Sequence, residues 1–397
     1  MSSVNELITS LRAVDANSFA SDDDRLIFVD ELRGVLRRTQ SPWDVAWDHA
    51  WVHGCTLAAI KTLIDASVFM RWVETGSKPM NTSELADLTG SDPLLLKRLL
   101  RQIAADHLIT QIGIDTYAPT PWSIRVGTES TFASIYGKFY YNLVSPLFES
   151  VPFFLKEAGY KNPTSLTNSN FERVHGEGSK IFEYISSDET LNQHFADTME
   201  CISVGQRMSW VDLYDINNII HAARPGNPLV VDVGGSKGHN LEKFLQKYPS
   251  VPKEGLILQD LPEVLEKVTV HPGITAYPYD FFTPQSVKGA LVYYLSFILH
   301  DWLDEMATKI LEVLRDAMER RYSKLLIHEV VVFDNEPSLT ATTLDITMMA
   351  TCSSLERSEK EWGRLIEGVE GLRIVKIWKA RQAVESIIEV ERVSLSE

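Results

Sequence analysis

His300 lies in the stretch YYLSFILHDWLDEMATKIL, where an apolar, strand-like run gives way to a polar helix start. Imidazole is the side chain best matched to proton transfer near neutral pH, because its ordinary pKa is close to 6.5. Asp301 and Trp302 follow it directly, and Asp304 and Glu305 fall in the first turn of the next helix. An isolated histidine is more often a packed core residue. One at the carboxyl end of a strand, where open α/β sheets hold their ligands, is a candidate base.

A second constellation precedes it in LVVDVGGSKGHNLEKFLQKYP, residues 229 to 249. A strand runs into a glycine-rich turn carrying Asp232, Gly234, Gly235 and Gly238, and the turn runs into a helix. Glycines there permit positive φ and let a ligand come close to the backbone. A dinucleotide fingerprint would read GxGxxG and aim its helix at a pyrophosphate. In this turn the first two glycines are adjacent and an aspartate precedes them. A carboxylate suits ammonium or hydroxyl donors better than a diphosphate. S-adenosylmethionine offers an ammonium, a sulfonium and two ribose hydroxyls, with no phosphate. Asp260 ends the next strand in LILQDLPEVL, 22 residues past Gly238, the place from which an acidic residue accepts ribose hydroxyls. The third strand ends in YDFF, where Asp280 and Phe281 offer adenine a polar edge and an apolar face. Strand-end aspartates are also common helix caps, but three successive strands with matched features point to a nucleoside ligand.

These residues need a scaffold of alternating strands and helices, and from Pro228 onward the sequence reads that way. PLVVDVG, GLILQDL, ITAYPYDF, ALVYYLSFIL and KLLIHEVVVF read as strands, separated by helical segments such as HNLEKFLQKYP and DEMATKILEVLRDAMERR. That alternation predicts a parallel, doubly wound, Rossmann-like sheet. LRIVKIWKA and ESIIEVERV, joined near RQAV, predict an antiparallel hairpin at its edge. The first half reads as helical. CTLAAIKTLIDASVFMRWVETG has apolar residues at helical spacing. Thr82-Ser83-Glu84 and Ser91-Asp92-Pro93 open two helices, Gly90 ends the first, and TQIGIDTYAPT reads as a hairpin. Helix, turn, helix and hairpin form a winged-helix-like pattern. The expected division is a helical amino domain over 1–122, a helical pocket and linker segment over 123–220, and the sheet domain over 221–397. Residues 132 to 215 are dense in Phe, Tyr and Met. Core packing accounts for any one of them, but the density also suits the wall of an apolar pocket, with Phe139, Phe195 and Met199 among its candidates.

Bulk properties narrow the partners. The 397 residues carry 38 basic and 54 acidic side chains, a formal charge of −16. A field of that sign repels phosphate backbones, so no nucleic acid is expected, whatever the winged-helix-like pattern would otherwise invite. Lys97, Arg98 and Arg101 are too few to reverse it. Cys55, Cys201 and Cys352 are scattered without CxxC spacing, which argues against zinc or a disulfide framework and fits a reducing, cytoplasmic setting. No signal peptide and no membrane span is expected, since about 18 consecutive apolar residues occur nowhere.

From about residue 40 to its end the chain resembles the S-adenosylmethionine-dependent O-methyltransferases of plant and fungal secondary metabolism, of the caffeate and flavonoid type. The likeness rests on the winged-helix-like amino half and on VDVGGSKG, LQDLP, YDFF, LHDW, HEVV, LDITMM and ERSEKEW, all in family order. It implies methyl transfer to a hydroxyl of an aromatic or polyketide-type metabolite, with His300 as general base and Glu329 and Glu356 orienting it. It implies cofactor contacts around Gly234, Gly235, Asp260, Leu261, Asp280 and Phe281, with Asp232 and Gly238 of the same turn. Asp301, Trp302, Met348 and Met349 would face the donor or acceptor; the two methionines could equally be core. It implies no metal, and a homodimer formed through the amino half. Full proton transfer from a phenol (pKa near 10) to an ordinary imidazole is uphill by about 3.5 units, or about 5 kcal/mol. A glutamate on the other ring nitrogen raises imidazole basicity and fixes its tautomer. Three features depart from the family: Ser296 stands where an Arg or Lys cofactor contact is usual, TCSSLERS lacks the glycine before its ERS, and VEGLRIV replaces the usual AGF. The departures leave room for a second career known on this fold, a pericyclase or dehydratase that keeps the cofactor unconsumed as a fixed positive charge.

Overall fold

In the computed structural model, residues 3–394 are described except 166, 206–207, 252–254, 267, 336–337 and 380–383. The chain divides into two compact units, Met1–Tyr136 and Gly137–Glu397.

The first unit is built from helices whose ends follow the local sequence. The short strand β1 (Met80–Asn81) leads into the helix Thr82–Thr89. Asn81 accepts from the Glu84 amide at 3.0 Å and Glu84 returns a bond to the Asn81 amide at 2.7 Å. This reciprocal cap satisfies donors that a helix start leaves open. Gly90, at φ +67°, ends that helix, and Asp92 caps Pro93–Ala105 with Pro93 in its first position. The strands β2 (Thr110–Gly113) and β3 (Thr116–Ala118) form the expected hairpin, and β1 pairs with the other edge of β3. One expectation is corrected. The run from 55 to 76 is two helices, His53–Asp65 and Val68–Glu74, because Ser67 adopts the left-handed conformation at φ +57°. The break turns the chain by 56° and lets Leu63, Phe69 and Trp72 all enter one core with Leu85, Leu100 and Tyr117. No single helix among the described residues is long and apolar enough to cross a membrane.

In the second unit, the helices Ser145–Glu157, Asn170–His175, Ile181–Ser186 and Glu189–Gly205 precede the sheet. Seven strands then follow: β4 (Val230–Val233), β5 (Leu256–Asp260), β6 (Thr275–Pro278), β7 (Val292–Ser296), β8 (Lys324–Val330), β9 (Leu372–Trp378) and β10 (Glu385–Arg392). Their spatial order is β6-β5-β4-β7-β8-β10-β9. The first five are parallel, and the β9–β10 hairpin joins antiparallel through β10, which pairs with β8 as well as β9. The RQAV connection lies mostly outside the described residues. Strands buried on both faces must be near-continuously apolar, and Val230, Val231, Val233, Tyr293, Leu295, Leu325 and Ile327 are all fully buried. One face packs on the helices Asp304–Ala317 and Glu359–Glu367 through Ile310, Leu314, Trp362 and Ile366. The other packs on Trp210, Leu241 and Phe244. Chain order reverses between β4 and β7, and the crevice at such a switch point, beyond the strands' carboxyl ends, is where ligands bind.

Candidate active site

The register of the parallel strands decides which side chains meet. β7 leads to a single tight turn, Leu299–Asp301, at the carboxyl edge of the sheet, and His300 sits in that turn, 6% exposed. Glu329 projects from the neighbouring β8. Its Oε1 accepts the backbone N–H groups of Ile298 and Leu299, each at 2.8 Å, so the strand that follows in sequence order fixes the start of the turn. Its Oε2 lies 3.8 Å from His300 Nδ1. Glu356 comes from the segment after the helix Leu339–Cys352, and its Oε1 lies 2.8 Å from the same Nδ1. Asp301 Oδ1 is 3.6 Å from Nε2. The structure therefore brings together His300, Glu329 and Glu356, which are far apart in sequence. The donor atoms of the three lie within 4.8 Å of one another.

Electrostatics follows from this crowding. Burial pulls the imidazole pKa down, but the carboxylates of Glu329, Asp301 and Glu356 outweigh it and push His300 up to about 10. Burial raises Glu329 to about 7, with Glu356 adding repulsion and His300 opposing. Asp301 rises to about 6, again through burial and against the pull of His300. With Nδ1 held by Glu356, the second ring nitrogen is the one left to meet a substrate.

The glycine turn forms the other half of the crevice. Gly234 and Gly238 adopt φ +73° and +80°, and a Cβ on Gly234 would fall 2.6 Å from Ile298 Cδ1. A Cβ on Gly235 would fall 2.6 Å from the Asp232 carboxylate. These positions therefore exclude any side chain. Asp260 accepts from the amides of Ser236 and Leu261, each at 2.8 Å, tying the ends of β4 and β5 together, and burial is the main influence raising its pKa. Asp232 is fully buried, and neither of its carboxylate oxygens has a hydrogen-bond partner among the described residues. Burial first, then Asp260, pushes it up to about 8. An orphaned carboxyl behind a turn with no room for side chains fits a ligand that brings its own cationic or hydroxyl donors.

Other predicted residues are placed as follows. Asp280 is exposed and caps its own turn, accepting from Phe282 N–H at 2.9 Å, and Leu261 is 40% exposed at the end of β5. Phe281 and Phe282 meet Trp302 edge-on at 6.0 and 4.8 Å, linking the end of β6 to the histidine turn. Ser296 Oγ lies 3.4 Å from His328 Nδ1, which also contacts Tyr294 Oη at 2.8 Å. Burial, helped by Lys243, lowers His328 to about 3, so this neighbour of Ser296 is a neutral imidazole. Phe139 and Phe195 meet edge-on at 5.2 Å, Met199 is 36% exposed, and Met348 and Met349 are half-buried on the helix Leu339–Cys352. Sequence reasoning passed over Ser354 and Arg357, which bind the histidine turn. Their only signal was adjacency to Glu356.

Comparison with known proteins identifies the family. Residues 160–371 match the model of the O-methyltransferase domain family. The O-methyltransferase mfmE of Annulohypoxylon moriforme is 34% identical over 97% of this chain and 95% of its own length. The crystal structure of OxaC in complex with SAH and oxaline superposes with a TM-score of 0.79 at 27% identity, covering 98% of this chain and 97% of that one. A protein described as a pericyclic reaction enzyme shares the fold, with a TM-score of 0.86 at 24% identity over 98% of both chains. With its seven-stranded sheet, glycine turn and histidine motif in place, the chain belongs to the S-adenosylmethionine-dependent O-methyltransferase family.

Proposed function

We propose that this enzyme methylates a hydroxyl of an aromatic or polyketide-type secondary metabolite, with His300 as general base. The observation that carries the reading is the 2.8 Å contact between His300 Nδ1 and Glu356, deep in the crevice that the glycine turn borders in the same sheet. S-adenosylmethionine bound there supplies a methyl group already activated on a sulfonium. Asp232, Gly234, Gly235 and Gly238 would cradle it, Asp260 and Leu261 would take the ribose, and Asp280 and Phe281 would border the adenine. Ser296 contributes a hydroxyl but no charge at a position where the family places a cation. His300 Nε2 takes the hydroxyl proton while Nδ1–H remains on Glu356, and Glu329 keeps the turn in register. Raising the imidazole to about 10 closes most of the gap to a phenol, so proton transfer within the site is close to thermoneutral.

The same raised pKa favours a second reading. A histidine that keeps its second proton at neutral pH is a competent acid or hydrogen-bond donor to a substrate oxygen, as a dehydratase or pericyclase with an unconsumed cofactor would need. Incubation of the purified protein with methyl-labelled S-adenosylmethionine and a panel of phenolic polyketides separates the two. Labelled product with one equivalent of S-adenosylhomocysteine supports methylation. Isomerised or dehydrated product with the donor intact would replace it.

We further propose a homodimer through the amino half. The helix Val4–Arg12 buries none of its residues and exposes Val4, Leu7, Ile8 and Leu11, and the exposed Trp43, Trp47 and Trp51 stack in a row at 5.8 and 4.9 Å. Apolar surface of that extent is usually covered by a partner. Light scattering that returns a mass of one chain would remove the dimer. Three free cysteines support a cytoplasmic setting.

A further inference from the structure

We propose that Arg357 is a positioning residue for the reaction, holding the backbone on both sides of His300 so that the imidazole meets Glu356. The guanidinium is 1% exposed and uses all three of its nitrogens. Nη1 donates to the Leu299 carbonyl at 2.9 Å and Nη2 to the Trp302 carbonyl at 2.8 Å, so the two contacts bracket the histidine in the chain. Nε and Nη2 reach Asp304 Oδ1 at 3.0 and 2.8 Å, fixing the start of the helix that follows. Within the turn the Leu299 carbonyl receives only a long bond from the Trp302 N–H at 3.3 Å, and the Trp302 carbonyl takes Ser354 Oγ at 3.3 Å, so the shorter guanidinium bonds are the stronger hold on both. The planar fork of an arginine spreads its donors over three nitrogens and so serves two carbonyls and a carboxylate at separate fixed places, whereas the donors of an ammonium radiate from a single atom.

Its place in the chain turns this clamp into a register device. Arg357 follows Glu356 directly, and Ser354 Oγ donates to the carbonyl of His300 itself. The Glu356 amide is tied in turn to Asp345 Oδ1 at 3.0 Å, and the guanidinium stacks 5.2 Å over Trp362. A single segment, 354–357, thus carries the acid that orients the imidazole and the groups that hold the imidazole's own backbone. A slip of about 1 Å between the two would carry the 2.8 Å contact out of hydrogen-bonding range.

The inference rests on His300 being the base, and the test keeps the two claims apart. Imidazole titrations by nitrogen-15 NMR, with the His300 signal assigned by its loss in His300→Ala, are recorded for wild type, Arg357→Lys and Asp304→Asn, with melting temperatures alongside. In folded Arg357→Lys the His300 pKa is expected to fall by at least about one unit, and turnover by about tenfold to a hundredfold, with donor affinity unchanged. A folded Arg357→Lys whose His300 titrates as in wild type would overturn the proposal, even with a lowered melting temperature. If the lysine variant does not fold, Asp304→Asn decides. Asp304 is 72% exposed, so the amide spares the core but takes the charge from one anchor of the guanidinium and weakens it. A smaller downward shift of His300 is expected there, and none would sink the clamp. Full turnover in His300→Ala would instead fail the base assignment, leaving the titrations to judge Arg357 alone.

Discussion

Two groups of buried carboxylates stand at the carboxyl edge of one sheet and have been treated differently. At the end of β8, Glu329 and Glu356 converge on an imidazole, and Glu329 also takes two backbone amides. Near the end of β4, Asp232 is equally buried and has no hydrogen-bond partner for either oxygen among the described residues. The first group has its cation within the chain, with Glu329 Oε2 and Glu356 Oε2 the two oxygens that take no hydrogen bond among the described residues. The second is incomplete without a donor from outside. The contrast separates machinery that is preorganised from machinery that is assembled by binding, and a buried, unpaired carboxyl in a native protein marks the latter.

The comparison is broken most directly at its two centres. His300→Ala is expected to lower turnover by about a hundredfold or more while leaving S-adenosylmethionine affinity unchanged by calorimetry, since a base acts on the acceptor and not the donor. Asp232→Ala should do the reverse, weakening the donor by about tenfold or more, with turnover at saturating donor reduced far less. If both variants lose affinity and turnover in the same proportion, the two regions are not functionally separate and the contrast is wrong.

Glu356→Gln sharpens the first centre. Replacing the carboxylate by an amide removes one of the charges that raise His300 towards about 10. The pKa is raised in the folded free enzyme, so the acid limb of kcat/KM against pH should rise through the alkaline range in wild type. In Glu356→Gln that limb should move towards acid by about one unit or more, with a lower plateau because the base is weaker. An unmoved limb would mean that the profile reports another group, with Glu329, at about 7, the first to test.

Much of this arrangement was legible before any coordinates. The end of β5 at Asp260 follows from a run of Leu and Ile that stops at a polar residue, whereas β7 stops at Ser296 and not, as the apolar run ALVYYLSFIL suggested, at Leu299, because a separate tight turn takes up Leu299–Asp301. Thr82-Ser83-Glu84, Gly90 and Asp92 announced their helix boundaries because capping is a local interaction between residues a few positions apart, though the cap itself proved to be Asn81. The break at Ser67 was not legible, since a serine at φ +57° is imposed by the packing of Leu63, Phe69 and Trp72 into one core and not by its own preference. β1 escaped notice because two residues carry no periodicity. At the site, proximity of Glu329 and Glu356 to His300 came through family likeness, because separations of 29 and 56 positions in the chain leave no local trace. Arg357 escaped for the opposite reason: an arginine beside a glutamate reads as a surface pair, and only the turn carbonyls it meets reveal a buried one.

The smallest expected effect concerns the stability of the second centre. Asp232 titrates near 8 in the fold and near 3.8 when unfolded. Its folded pKa is raised, so the unfolded chain releases the proton first and ionisation works against folding as pH climbs through that interval. The loss is absent below about pH 4, grows with pH, and is complete once the folded carboxyl ionises near pH 8. Asp232→Asn keeps the shape and cannot ionise. It should therefore raise the melting temperature of the ligand-free protein at pH 8 by about 1–2 °C, the shift that about 1 kcal/mol produces in a protein of this size. At pH 4 the difference should vanish. With saturating S-adenosylmethionine the order should invert, because the ligand then stabilises wild type more than the variant. Stabilisation that is equal at both pH values would trace to packing, and the carboxyl of β4 would lose its claim to be waiting for a positive charge.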